Sequence, residues 1–342
     1  MNQAVQTTQA KSRAAHTAPP ASEFPAAPSS WYLLCRSCDL GSEPMAVEIL
    51  GRRLAVFRTE QGVAAIEADC SHMGADLSRG RVVQGRLQCP FHGWEYDHSG
   101  HCQRIPAQRE IPAFACQQSF PVAERHGLLF AFVSPTVREP LFELPELLPP
   151  ARRPLIASPP HHYSMDCPWY LFAANGFDLQ HFALVHDREL IGEPQVDCPS
   201  PFARRIRFRS RVVGRSPADR LIRRLAGDTV DVAITAWAGN LVSVHAQFAR
   251  ATSRVVFSTQ PLDAGRTGSC LLVFKEQGAV YRRWLDPLEL WIRRRLTWTF
   301  IEEDTHRIRR AVYRPQTLVE ADRIMIDYFH WLAALPRSQK ET

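Results

Sequence analysis

Cys70-Ser71-His72-Met73-Gly74 and Cys89-Pro90-Phe91-His92-Gly93-Trp94, with sixteen residues between His72 and Cys89, decide the reading of this chain. Each stretch offers one thiolate and one imidazole beside a glycine. That mixture suits a 2Fe–2S cluster in which one iron takes two Cys and the other two His. Neutral His ligands raise the reduction potential above that of an all-Cys cluster, so such a centre accepts electrons from a ferredoxin. The rival is a Cys2His2 zinc site, but zinc fingers pair Cys with Cys and His with His at short spacing. Four unrelated buried residues would not repeat one Gly-bearing pattern.

At these residues the chain resembles the Rieske proteins. Ala75 and Phe91 stand where respiratory-chain members carry an additional disulfide Cys, which points to the oxygenase branch. That branch requires a second iron site downstream. Asn175-Gly176-Phe177-Asp178-Leu179-Gln180-His181-Phe182-Ala183-Leu184-Val185-His186 matches its Asp-x-x-His-x4-His signature, with Asn175 as the leading residue. Non-haem Fe(II) oxygenases bind the metal through two His and one carboxylate, leaving positions open. Asp178 and His181, three apart, would share a helix face. His186, five beyond His181, is off that face, so the helix must end or bulge, or His186 must reach back from a loop. The acidic ligand is sought at Glu302-Glu303-Asp304, and the resemblance favours Asp304 over Glu303. Glu302 and Glu303 otherwise suit a solvated helix N-terminus. The resemblance gives Asp178 a separate role, bridging a catalytic His to a cluster His of the neighbouring subunit. Its carboxylate would also orient the His181 ring.

The 342 residues suffice for two domains with cores of their own. Beyond the two cluster candidates, seven of the nine Cys remain, an odd and scattered set that is no disulfide framework and suits a reducing cytoplasm. Cys35-x-x-Cys38 lacks a second pair and reads as structural. No apolar run approaches the ~20 residues of a membrane span. Residues 285–300 are broken by Arg293, Arg294 and Arg295 and read as an amphipathic core helix. The net charge of +6 owes much to residues 204–224, where Arg205, Arg207, Arg209 and Arg211 alternate with Ile206, Phe208 and Ser210. That is the period of a strand with a solvated Arg face. Its functional alternative is docking of an acidic ferredoxin. Nucleic-acid binding would need exposed aromatics or a known module, and neither is present.

Residues 1–29 read as a disordered tail without the apolar segment of a secretory signal. Short β-like runs from 30 to 137, separated by turns such as Ser99-Gly100, fit a small β-domain with the cluster at its loop tips. A Pro-rich stretch, 138–160, reads as a linker. Residues 161–337 read as a helix over 168–184, then strands near 205–213, 230–237, 241–248, 254–259 and 269–275. Helices follow over 281–300 and 317–335, and 338–342 form a tail. The fold class is α+β: a Rieske β-domain, then an antiparallel sheet curled around helices, agreeing with the family's helix-grip catalytic domain.

The resemblance is nearest to the single-subunit-type group that includes aminopyrrolnitrin oxygenase and the steroid and pheophorbide oxygenases. It implies a homotrimer, dioxygen as co-substrate, and electrons from NAD(P)H through a separate flavin reductase or ferredoxin. The chain itself has no G-x-G-x-x-G and no plant-type ferredoxin Cys set. Cys70, His72, Cys89 and His92 would hold the cluster, and His181, His186 and Asp304 the mononuclear Fe(II). The expected chemistry is monooxygenation, N-oxygenation, demethylation or oxidative cyclisation of a hydrophobic aromatic or heterocyclic compound. A Rieske electron carrier and an iron-free binding module are the competing readings.

Overall fold

The computed structural model describes residues 17–337. They form two compact units, one of residues 29–147 and one containing residues 17–28 and 148–337.

The first unit is built from short antiparallel strands: β1 (Ser30–Arg36), β2 (Met45–Ile49), β3 (Arg52–Thr59), β4 (Gly62–Glu67), β5 (Arg81–Val83), β6 (Arg86–Gln88), β7 (Glu95–Tyr96), β8 (Cys102–Arg104), β9 (Ser119–Phe120), β10 (Val122–Arg125) and β11 (Leu128–Val133). They pair in the orders β1-β11-β10, β2-β3-β4-β9 and β5-β6-β7-β8. Alternation along β3 and β4 sends Ala55, Phe57, Ala64 and Ile66 into one core with Leu77, Leu87 and Tyr96. Leu54, Val56 and Ala65 go into another with Tyr32, Leu129 and Ala131. Cys70 and Cys89 belong to the first core, so that core is also the floor of the paired loops.

The second unit is one antiparallel sheet with helices packed on it. Its strands are β12 (Leu155–Ala157), β13 (His161–Met165), β14 (Arg188–Ser200), β15 (Ala203–Val212), β16 (Thr229–Trp237), β17 (Leu241–Phe248), β18 (Thr252–Asp263) and β19 (Arg266–Glu276). The order is β12-β19-β18-β17-β16-β15-β14, with β13 also on β19. The helices are α1 (Trp169–Asn175), α2 (Leu179–Leu184), α3 (Pro217–Leu225), α4 (Asp286–Arg307) and α5 (Arg323–Ala333). Phe172 and Phe177 from the α1 segment and Tyr328, Phe329 and Leu332 from α5 meet Ile206, Ile234, Phe257 and Leu271 of the sheet. The fold class is as expected, a β-domain followed by an antiparallel sheet holding helices.

Several expected boundaries move. The helix expected over 168–184 is broken at Gly176-Phe177-Asp178. Asp178 takes an extended backbone (ψ 96°) and its side chain accepts from the Gln180 and His181 amides, starting a new helix. Strand β14 was not foreseen. It carries Gly192 and Pro194 on the edge of the sheet, where its register shifts between Ile191 and Gln195. An edge with a bulge is where a strand tolerates proline. The stretch 138–160 does not stand as a separate linker: Leu144 and Leu147 are buried in the first unit, and Leu155–Ala157 is a strand on β19.

The tail expectation also gives way for residues 17–28, whose Ala18 and Phe24 join the core of the second unit. The Phe24 ring lies 4.5 Å from Tyr170 and 5.4 Å from Tyr313, and Tyr313 Oη donates to the Pro19 carbonyl at 2.7 Å. Residues 1–16 and 338–342, the rest of the expected tails, lie outside the described residues.

The arginine stripe of β15 is matched across the sheet. Arg205 and Arg207 meet Asp197, Arg209 meets Asp231, and Arg211 meets Glu189, at 2.7–3.3 Å. Little unpaired positive charge is left there to steer an acidic ferredoxin. Among the described residues no helix is long and apolar enough to cross a membrane.

Candidate metal centres

The two loops of the first unit repeat one backbone turn. Gly74 N–H donates to the Cys70 carbonyl and Gly93 N–H to the Cys89 carbonyl, while the Cys70 and Cys89 amides donate to Ala75 and Trp94. Each turn ends on a left-handed residue, Gly74 (φ +70°) and Gly93 (φ +71°), where a side chain would be strained. The turns bring all four candidate ligands to one tip. The His72 and His92 rings lie 4.7 Å apart, and Trp94 stacks on His72 at 4.6 Å and 5°. Burial divides the four by type: Cys70 and Cys89 are buried, whereas His72 and His92 are exposed. Tyr96 Oη sits 3.1 Å from Cys70 Sγ and 2.9 Å from Ser71 Oγ. Burial raises the Cys70 thiol above its ordinary range, which Tyr96 partly offsets.

Cys35-x-x-Cys38 shows the contrast. Burial, aided by Asp39, pushes the Cys35 thiol up to about 11, which suppresses thiolate and suits a structural residue. All nine cysteines are free thiols.

The second site lies in the other unit. His181 is in α2, His186 follows that helix, and Asp304 is in the last turn of α4. The side-chain donor atoms of these three lie within 4.8 Å of one another, the one such trio of His, Cys, Asp or Glu among the described residues. The geometry of His186 follows from the end of α2: Val185 caps it, and Asp187 then takes a left-handed backbone (φ 51°). The His186 ring stacks on Phe300 at 3.5 Å and 11°. His186 Nε2 lies 2.8 Å from Asp304 Oδ1 but makes no hydrogen bond of acceptable angle, and it is buried without a partner. A buried nitrogen and a buried carboxylate oxygen brought this close without a hydrogen bond fit a shared metal ion.

His181 Nδ1 lies 2.5 Å from the Asp178 carbonyl oxygen, so the ring is assigned its proton on Nδ1. Nε2 then faces Asp304 Oδ1 at 3.8 Å and Asn175 Nδ2 at 3.5 Å. The Asp178 carboxylate itself is engaged elsewhere. Its Oδ1 accepts the Gln180 and His181 amides at 3.0 and 3.3 Å. The expectation that the carboxylate orients His181 is corrected: the main-chain carbonyl of Asp178 does so. Burial lowers the His181 pKa, more than the nearby carboxylates restore, which favours the neutral ring a metal needs.

The acidic run falls at the C-terminal end of α4, not at a helix N-terminus. Glu303 is exposed and Asp304 is buried. The helix dipole disfavours an anion there, a cost that a nearby cation would offset.

An apolar cavity of about 320 Å³ is lined at one end by His181 and Asp304 of this trio. Phe172, Phe208, Val232, Ile234 and Leu296 supply walls, and Asn175, His181 and Asp304 the polar end.

The Rieske [2Fe-2S] domain family matches residues 30–115. The chain is 33% identical over 163 residues to the tert-butanol monooxygenase / tert-amyl alcohol desaturase oxygenase subunit of Aquincola tertiaricarbonis, covering 46% of this chain and 34% of that protein. It is 27% identical over 329 residues to methylxanthine N1-demethylase NdmA of Pseudomonas putida, covering 91% of this chain and 90% of that one. The solved structure of Pseudomonas putida CBB5 NdmA with caffeine superposes with a TM-score of 0.66 at 25% identity, over 88% of this chain and 89% of that one. The chain is related to the catalytic subunits of Rieske non-haem iron oxygenases. It spans about a third of the length of the first of these relatives and nine-tenths of NdmA.

Some residues around His181, His186 and Asp304 were not foreseen. Phe300 stands four residues before Asp304 on α4, a spacing that shares a face and could have shown it. Arg188 and Asp219, described below, come together from distant parts of the chain, which no local spacing reveals.

Proposed function

We propose that this chain is a Rieske-type oxygenase that uses dioxygen and externally supplied electrons to oxidise a hydrophobic aromatic or heterocyclic substrate. The observation that carries the reading is the trio of His181, His186 and Asp304, two of which line an apolar cavity, in a chain that also carries a Rieske domain.

Cys70, His72, Cys89 and His92 hold the cluster. Two buried thiols and two exposed imidazoles suit a binuclear centre with a Cys-bound inner and a His-bound outer iron. They form no tight group around one ion, unlike His181, His186 and Asp304, and this argues against zinc. When bound, the cluster supplies single electrons and the mononuclear iron supplies activation of dioxygen. Asp304 contributes the one negative charge, which balances part of a divalent ion's charge in a dry site. His181 and His186 contribute neutral donors, with His181 held by the Asp178 carbonyl. Asn175 places its amide beside His181 at the polar end of the cavity.

The apolar walls orient substrate and exclude water. Arg188 and Arg293 also line the cavity, but Arg188 is bonded to Asp219 and Arg293 to the Thr252 carbonyl.

The resemblance further supports a homotrimer in which Asp178 couples His181 to a cluster of the neighbouring subunit. A ferredoxin or flavin reductase, fed by NAD(P)H, would be the donor. The free thiols suit a reducing compartment such as the cytoplasm. Iron and sulfide analysis tests the central reading: about three iron and two sulfide per chain are expected. Two iron, with no oxygen uptake on adding a reductase and aromatic compounds, would leave an electron carrier or a binding module.

A further inference from the structure

The main-chain carbonyls of His186 and Asp187, just beyond α2, are met by one buried side chain. Arg188 Nη1 donates to the His186 carbonyl at 2.5 Å, to the Asp187 carbonyl at 3.2 Å and to Asp219 Oδ1 at 3.0 Å. Arg188 and Asp219 are 9% and 8% exposed, so each is the other's charge partner away from water. The guanidinium also lies 5.7 Å from the centre of Phe300, the ring on which His186 stacks. Arg188 thus touches the main chain of His186 and the ring that supports its side chain.

Asp219 is itself fixed. It belongs to the first turn of α3, where Ser216 caps the helix: Ser216 Oγ accepts the Asp219 amide at 3.0 Å and donates to Asp219 Oδ2 at 2.6 Å. The carboxylate occupies the space a side chain at position 214 would take. A Cβ on Gly214 would stand 2.2 Å from Asp219 Oδ2. One turn along α3, Ile222 lines the cavity, followed by Ala226 just beyond the helix.

We propose that Arg188 and Asp219 are positioning residues that hold His186 in place as a metal ligand and tie it to α3, a wall of the substrate cavity. The inference rests on the proposed reading of His181, His186 and Asp304 as an iron site. All three acceptors meet one guanidinium nitrogen, Nη1, whose reach and orientation are set by a planar group that the shorter, more flexible lysine stem does not reproduce. The pair therefore acts on ligand geometry and is more than a neutralised charge.

The test is anaerobic titration of ferrous ion into protein that keeps its cluster but has lost mononuclear iron, with thermal melting of the same samples. Asp219→Asn and Arg188→Lys should each raise the ferrous dissociation constant by about tenfold or more, the range seen when a ligand's support is removed. The near-infrared circular dichroism of bound ferrous ion should change, and the cluster's visible spectrum should not. Ser216→Ala, at an exposed position, keeps the ion pair but frees one carboxylate oxygen. It should weaken iron binding by a few fold, with the melting temperature lowered only by the few degrees that losing a helix cap costs, and it decides the matter if the buried variants do not fold. Folded variants that melt lower but bind ferrous ion as the parent does, with the same spectrum, would reduce the pair to a structural ion pair and overturn the proposal. A parent that takes up no ferrous ion beyond its cluster would overturn the iron-site reading itself, and that result is read without any variant.

Discussion

Replacing Asp304 by Asn should move iron affinity and iron-free stability in opposite directions. In the unloaded protein the carboxylate is buried, sits in the last turn of a 22-residue helix, and makes no well-formed hydrogen bond with His186 despite the 2.8 Å approach. An anion at that helix end costs about 0.3–1 kcal/mol from the dipole, and burial adds to it. Asn keeps the shape and removes the charge, so the iron-free variant should be more stable by about 1 kcal/mol, or about 2–4 °C in melting temperature for a unit this size. The ferrous ion reverses the sign. A divalent ion and a carboxylate about 4 Å apart attract by roughly 8 kcal/mol at an effective dielectric constant of about 20. Retaining even a quarter of that as net binding, about 2 kcal/mol, corresponds to ~30-fold in dissociation constant. The assay is ferrous titration paired with calorimetry of the iron-free protein, with Glu303→Gln as the exposed neighbour. Glu303→Gln should leave both quantities unchanged. Parental iron affinity in Asp304→Asn, or a melting temperature several degrees below the parent, would make Asp304 a structural partner of His186 and refute the reasoning.

Tyr96→Phe removes a hydroxyl 3.1 Å from Cys70 Sγ. A hydrogen bond of about 1–1.5 kcal/mol that favours the reduced cluster equals roughly 40–60 mV for one electron. An EPR-monitored redox titration should show the potential falling by that amount, and an unchanged potential would remove Tyr96 from the cluster's environment. Phe24→Ala should destabilise the second unit by ~3 kcal/mol, as emptying an aromatic core position does. Denaturant unfolding showing a loss below about 1 kcal/mol would mean that residues 17–28 merely rest on the surface. Stability should fall on acidification through the histidine range. Burial lowers His245, with help from Arg254, and lowers His126 and His161 below the ordinary 6.5. Unfolded imidazoles then take protons that the folded ones refuse, so this contribution is present above pH ~6.5 and lost below it. Equal urea midpoints at about pH 7.5 and about pH 5.5 would contradict that sign.

What was legible in the chain was what chemistry restricts. A mixed-ligand cluster and a two-His, one-carboxylate site admit few residue types at few spacings, so Cys70, His72, Cys89, His92, His181, His186 and Asp304 could be named as candidates before any fold was known, and the structure brings the last three together. The helix break before His186 was legible too, because five residues do not repeat a helical face. The way Asp178 holds the His181 ring was misread because spacing alone treats 178–181 as one helical turn. Asp178 is instead the cap, and a cap turns its side chain to the amides and its carbonyl elsewhere. Strand β14 was hidden by Gly192 and Pro194, which suppress a strand signal except at an edge. The tail was misread from composition, since Phe24 is one large apolar residue in a polar stretch and finds its partners nearly 150 and 290 residues away, at Tyr170 and Tyr313.

The iron site gathers features that a fold alone would not favour. Asp187 adopts a left-handed backbone without being glycine, His186 Nε2 is buried without a hydrogen bond, and Asp304 is a buried anion at the wrong end of a helix. Each costs free energy in the empty protein, and such features persist only where surrounding structure over-determines them. The surroundings here do so from three sides. The Asp178 carbonyl fixes the His181 ring, Phe300 supports the His186 ring, and Arg188 with Asp219 fixes the His186 main chain. A divalent cation removes two of the three penalties at once, by accepting the His186 lone pair and neutralising Asp304. The left-handed turn at Asp187 remains, and it leads the chain from His186, whose ring lies 5.2 Å from that of His181, directly into β14. The remaining strain therefore lies in the backbone beside a ligand, while the electrostatic cost lies in side chains that metal binding relieves.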